Sequence, residues 1–235
     1  LPYFVKPQAC GTRDGHSWEN AMGMTEFLNM IKQKNGSQSE SDENADNVDD
    51  RDFYFTGGTY SVSQVKVEYS GYRSRVKFRV HGGYDPASAG TDVSRKESET
   101  IFDGGGSNRF ITLGNQTEPT FDGITFTNCT FKKCTASGGQ NPIIMVRKGL
   151  AKLDNVTFDA CRAEGGVRGL IRLAQKESRV YLNACTFVNN TFGGGGFGLL
   201  VHLNDFGGNV CLHNVTFAGN DSGCGATGAI NGTGG

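Results

Sequence analysis

The chain has 235 residues, with 23 Lys and Arg against 24 Asp and Glu, a net charge of −1 and a pI near 6.5. That balance gives no general attraction to nucleic acid, and the basic residues are spread through the chain instead of forming a stripe with aromatics. No stretch reaches the roughly 18 apolar residues of a membrane span, and no composition shift marks a linker, so a single domain over 1–235 is expected.

In chain order, the first element predicted is a helix within a cap over residues 1–35. Ser17 is read as its N-cap, and Ala21, Met24, Leu28 and Ile31 line one face. An acidic loop follows at 36–52, with seven carboxylates from Glu40 to Asp52 and hardly an apolar side chain. Such a stretch buries too little surface to offset its ordering entropy, and its spacing matches no EF-hand. Coils then occupy 53–235. The segments DFYFTGGTYSV, RVKFRVHGGY and ETIFDGGG read as strands, with Val76, Phe78 and Val80 alternating against Lys77, Arg79 and His81.

From 119 onward the pattern repeats. PTFDGITFTNC, AKLDNVTFDAC, VYLNACTFVNN and VCLHNVTFAGN carry Phe126, Phe158, Phe187 and Phe217 at spacings of 32, 29 and 30. Apolar side chains recur seven, five and two residues before the phenylalanine. The alternation marks a strand with one buried face, and the step of three marks a bend or bulge. A shorter strand precedes each copy, with Leu113, Val146, Leu173 and Leu203 pointing inward at spacings of 33, 27 and 30. Two series advancing together at about 30 residues per turn describe a winding chain, a parallel β-helix whose equivalent strands stack about 4.8 Å apart. Dividing the strand-rich part by the repeat gives about five or six coils. At the end, AINGTGG reads as the start of a further coil.

Seven cysteines cannot all pair. Cys129 and Cys161 fall three after Phe126 and Phe158, where the next copies have Asn190 and Asn220, so a column of small corner side chains with free, buried thiols is expected, although neighbours about 4.8 Å apart are within disulfide reach. No CxxC is present to suggest a metal site. Eight N-x-S/T sequons include Asn128, Asn155 and Asn214; several arise from the N-V-T template and report the repeat itself.

The opening YFVKPQACGTRDGHSWENAM, followed in order by FYFTGGTY, VHGGY, TIFDG and FDGITFTN, resembles secreted bacterial right-handed parallel β-helix repeat proteins over nearly the whole chain. That superfamily contains pectate and chondroitinase B-like lyases, pectin-degrading hydrolases and non-catalytic surface proteins. The resemblance implies the fold and a secreted or cell-surface location, and it selects no activity. The N-T-D, D-D, H-G and R-I-K set of the hydrolase branch is missing. The one acidic pair placed on stacked coils, Asp122 and Asp154, is continued by Asn183 and His213.

Lyase chemistry needs a base at the uronate C5 proton and cations on its carboxylate. The shorter strands align Thr112, Met145, Arg172 and His202 in one row, with Arg147 and Lys148 just beyond. Arg147, Lys148, Arg172 and His202 are therefore the predicted wall for an anionic polysaccharide. No cofactor is expected, calcium on the Asp122 and Asp154 row being the alternative. A non-catalytic polysaccharide-binding protein is the reading, with a polysaccharide lyase and a surface adhesin as alternatives. His16 and Trp18 are expected to be structural, Trp18 packing the cap helix on the first coil.

Overall fold

The computed structural model describes residues 2–31, 49–67, 76–86, 98–107, 110–113, 123–136, 142–146, 149–164, 169–193, 201–203, 208–221 and 230–232. These form a parallel β-helix with three faces. The long face stacks Pro2–Val5, Asp49–Thr56, Val76–Tyr84, Gly123–Lys132, Gly149–Asp159, Ser178–Asn183 and Asn209–His213. Beyond a bend it continues through Gly58–Ser61, Thr100–Asp103, Thr186–Val188 and Thr216–Ala218. A short face stacks Val65–Val67, Ile111–Leu113, Ile144–Val146, Ile171–Leu173, Val201–Leu203 and Ile230–Gly232, so AINGTGG does begin another strand. Thr135–Ala136, Arg162–Glu164 and Thr191–Gly193 make the third face, extended by a bridge from Thr191 to Asp221.

The solenoid makes about four turns, fewer than the five or six expected. The difference lies upstream: from Gly123 onward each turn reaches all three faces, the last through the Asp221 bridge, whereas among the described residues the earlier rungs contribute only to the long and short faces.

Register corrects the repeat alignment. Phe158 pairs with Phe131, not Phe126, and Phe126 pairs with Leu153. Phe131, Phe158, Phe187 and Phe217 form the column, with ring centroids 5.0, 4.8 and 5.2 Å apart and planes within 12°, 1° and 21°. The sequence ITFTNCTF holds two T-F pairs five residues apart, and the template is apolar both at the phenylalanine and five before it. A slip of five therefore leaves the core pattern almost intact. The tie is broken by backbone conformation. Three residues before the phenylalanine stand Asn128, Asn155, Ala184 and Asn214, all with φ between 50° and 55°. These left-handed residues bend the long strands, and Asn tolerates that region better than most side chains. A second such column, Lys133, Ala160, Asn189 and Gly219, turns the chain toward the third face.

The corrected register also moves the cysteines. Cys134, not Cys129, shares the position of Cys161, Asn190 and Asn220. At each of these four the side chain donates to the carbonyl of the rung before: the thiols of Cys134 and Cys161 to Phe102 and Phe131 at 3.8 and 3.3 Å, the amides of Asn190 and Asn220 to Phe158 and Phe187 at 3.1 and 2.8 Å. Cys10, Cys129, Cys134, Cys161, Cys185 and Cys211 are free thiols, and the four from Cys129 to Cys185 are buried. Burial pushes the Cys129 thiol well above its ordinary range and the Cys185 thiol up to about 11.

At the start of the stack the helix is Met24–Ile31, shorter than predicted. Gly23, not Ser17, caps it: the Phe27 amide donates to the Gly23 carbonyl, and the Glu26 carboxylate accepts from the Gly23 amide at 3.1 Å. Ser17 instead accepts from Asn20 in a turn. Residues up to Met22 serve the first strand, since Met22 donates to Phe4 and accepts from Lys6 across an otherwise bare edge. Phe27, Leu28 and Ile31 are buried, with Phe27 edge-on to Phe53 and Phe55 at 4.9 and 5.0 Å. At the other end, Leu212 and Phe217, at core positions of their rung, are 42% and 37% exposed.

Candidate functional site

Of the predicted wall, Arg147 and Lys148 lie outside the described residues. The backbone row itself is as the spacing required: Met145 pairs with Thr112 and Arg172, and Arg172 with His202. Arg172 is nevertheless buried, only 4% exposed, between Ile171 and Leu173 in the short face. Asp122 also lies outside the described residues, and the rung neighbour of Asp154 is Thr127, because the slip of five had misplaced it. Among the described residues, no three His, Cys, Asp or Glu side chains lie close enough to hold a metal.

The polar and aromatic groups that do converge sit on the outer side of the long face. Alternation along the strands sends every second side chain outward, and parallel pairing stacks these into rows. One row runs Asp52, Arg79, Thr125, Lys152, Tyr181 and Cys211. The row beside it runs Phe4, Tyr54, His81, Thr127, Asp154, Asn183 and His213.

The second row begins as an aromatic stack. Trp18, fully enclosed, meets Phe4 at 4.6 Å; Phe4 lies over Tyr54 at 6.0 Å, and Tyr54 over His81 at 5.0 Å with planes 19° apart. Tyr84 closes edge-on against Tyr54 at 4.9 Å. Trp18 is thus structural as expected, but its partner is the outer side of the first strand and not the helix. His16 is exposed, with its ring tilted against Tyr3 at 5.6 Å.

Asp52 ties the two rows together. The Arg79 guanidinium donates to both of its carboxylate oxygens, at 2.7 and 2.8 Å, and His81 Nε2 lies 2.9 Å from Oδ1. The hydrogen bonds from Arg79 hold the Asp52 carboxyl down to about 2. Partial burial pushes the Tyr54 phenol up, with the nearby Asp52 charge adding to the effect.

Farther along, exposure rises. Asn183 Nδ2 donates to Asp154 Oδ1 at 2.7 Å, which turns the Asn183 carbonyl oxygen toward His213 Nδ1 at 2.6 Å. An amide oxygen only accepts, so His213 is the donor in this contact. In the other row, Lys152 and Cys211 are exposed and Tyr181 is 40% exposed.

No family model, no curated protein and no solved structure matches this chain. The site must therefore be read from its own chemistry. Its exposed part offers the Tyr181 ring, the Lys152 ammonium and the planar polar groups of Asp154, Asn183 and His213 on successive rungs. No helix among the described residues is long and apolar enough to cross a membrane.

Sequence alone places Asp52 in the acidic loop, although the strand opens at Asp49, and gives Arg79 and His81 only as outward positions. The available signal was that Asp52 and Arg79, like Tyr54 and His81, are 27 residues apart, which equals one of the coil spacings.

Proposed function

We propose that the protein is a secreted or cell-surface β-helix that binds polysaccharide along the outer side of its long face, without acting on it chemically. The observation that carries this reading is the paired row from Tyr54 and Arg79 to Tyr181 and His213. Sugar rings present an apolar C–H face and a rim of hydroxyls; the exposed Tyr181 ring takes the first, and the exposed Lys152, Asp154, Asn183 and His213 side chains beside it take neighbouring hydroxyls. A rung spacing of about 4.8 Å is close to the length of one pyranose ring, so an extended chain can lie across successive rungs in repeating register. The groups are preorganised by neighbours in the stack, which limits the side-chain ordering cost of binding.

The exposed Tyr181 and Lys152 make contacts that can be removed without touching the core. Affinity electrophoresis through gels containing alginate, pectin or chondroitin sulfate tests the reading. Retardation of the native chain that is lost in Tyr181→Ala with Lys152→Ala supports it. Equal mobility with and without every polysaccharide, or retardation unchanged in the double variant, overturns it.

A further inference from the structure

We propose that Cys134 and Cys161 are a disulfide site, joining two successive rungs at the corner between the long and third faces when the chain folds under oxidising conditions. Lys132 pairs with Asp159 and Thr135 with Arg162, so the two cysteines between them occupy the same step of adjacent rungs. The Arg162 amide donates to the Cys134 carbonyl at 2.9 Å, which fixes the backbones side by side at this step. Neighbouring parallel strands lie about 4.8 Å apart, inside the Cα separation of about 4.4–6.8 Å that a disulfide spans.

Both side chains point inward and both are fully buried. The Cys161 thiol donates to the Phe131 carbonyl at 3.3 Å, so it leans toward the rung that carries Cys134. No other pair among the described cysteines is placed in this way. Cys129 has Thr100 and Val156 as rung neighbours, Cys211 has Tyr181, and Cys10 donates to the Trp18 carbonyl. Cys185 stands beside Val156, since Thr157 pairs with Thr186.

Closure requires an external oxidant, here a small disulfide of the oxidised glutathione class or a disulfide-donating oxidase. One protein thiolate attacks the oxidant and forms a mixed disulfide, releasing one oxidant thiol. The second protein thiolate then attacks the protein sulfur and releases the other, so two protons and two electrons leave the cysteine pair and the donor disulfide is reduced to two thiols. Enclosure shields both sulfurs in the finished stack. The exchange therefore takes place during folding, before the rung at 149–164 seats on the one at 123–136. The link closes a loop of 27 residues, 134 to 161, and gives up weak S–H contacts to backbone carbonyls, those of Cys134 to Phe102 and Lys132 and those of Cys161 to Phe131 and Asp159.

The test compares full-length chain made in an oxidising bacterial periplasm with chain made in a reducing cytosol. Each is denatured in the presence of N-ethylmaleimide, digested and mapped by mass spectrometry. The expected result is a peptide pair linked through Cys134 and Cys161 in the periplasmic material only, with a mass lower by two hydrogens and two of the seven cysteines unlabelled. Labelling of both Cys134 and Cys161 in the periplasmic chain, whether or not other cysteines are linked, overturns the proposal.

Discussion

Truncating Phe158 to alanine removes the middle of the phenylalanine column. Its ring is fully enclosed and lies between Phe131 at 5.0 Å and Phe187 at 4.8 Å, so the deletion leaves a void that the rungs above and below cannot fill without losing backbone register. Buried Phe→Ala changes cost about 3–5 kcal/mol. Phe217, the last described member of the same column, stacks at 5.2 Å on Phe187, its one ring partner among the described residues, and is 37% exposed. Phe217→Ala should therefore cost about 1 kcal/mol, since much of its apolar surface is already in water. Urea denaturation followed by near-ultraviolet circular dichroism reads both; with a slope of about 2–3 kcal/mol per molar, the Phe158 variant should unfold roughly 1–2 M earlier than the native chain. Because the two inner rings touch, the Phe158→Ala, Phe187→Ala pair should also be non-additive by about 0.5–1.5 kcal/mol. Losses at Phe158 and Phe217 that agree within about 1 kcal/mol, together with additive inner changes, would refute the column.

The described geometry gives two other outcomes and the proposed binding role a third. Asp52 has a lower carboxyl pKa folded than unfolded, about 2 against an ordinary 3.8. Its contribution is therefore complete above about pH 4 and is lost as pH falls toward 2, so Asp52→Asn should flatten the dependence of thermal midpoint on pH in that window, and an unchanged slope would contradict the Arg79 pairing. At the corner column, Cys161→Asn should be tolerated without loss of midpoint in chain made and kept under reducing conditions, where Cys134 and Cys161 are free thiols, because Asn at the equivalent next step already reaches the preceding carbonyl; Asn190→Ala should cost at least about 2 kcal/mol in urea, since the Phe158 carbonyl and the Cys161 amide lose their buried partner. Incubation with alginate, pectin or chondroitin sulfate should give no ultraviolet rise from unsaturated uronate, and a rise with any of them would replace the binding reading with a lyase.

Much of the architecture was legible because its signal is redundant. The short strands have three residues each, leaving little room for a register error, and Leu113, Val146, Leu173 and Leu203 align as their spacing required. The long strands are different. Their template is apolar at two positions five apart, so hydrophobicity alone cannot separate Phe126 from Phe131. The deciding information is a backbone conformation at Asn128 and Asn155 and a corner donor at Cys134 and Cys161. Asn is only a weak mark of left-handed φ, and at the same step of the next turn Ala184 carries no mark at all.

The helix failed for another reason. Residues 17–22 have helix-like spacing, but pairing of Met22 with the edge of the first strand satisfies backbone groups that a longer helix would have left bare. On the candidate site, composition hid the answer. A run of carboxylates reads as solvated loop, and only the register reveals that its last member, Asp52, lies beside Arg79 on the strand that follows. Arg172 shows the converse, a charged residue at an apparently outward step that is enclosed in the short face.

The stacking order is tested most directly by cross-strand backbone nuclear Overhauser effects in isotope-labelled protein. Contacts are expected from Phe158 to Phe131 and Phe187 and from Leu153 to Phe126 and Leu182. Backbone contacts joining Phe126 to Phe158 would place the rungs five residues out of step and contradict that order.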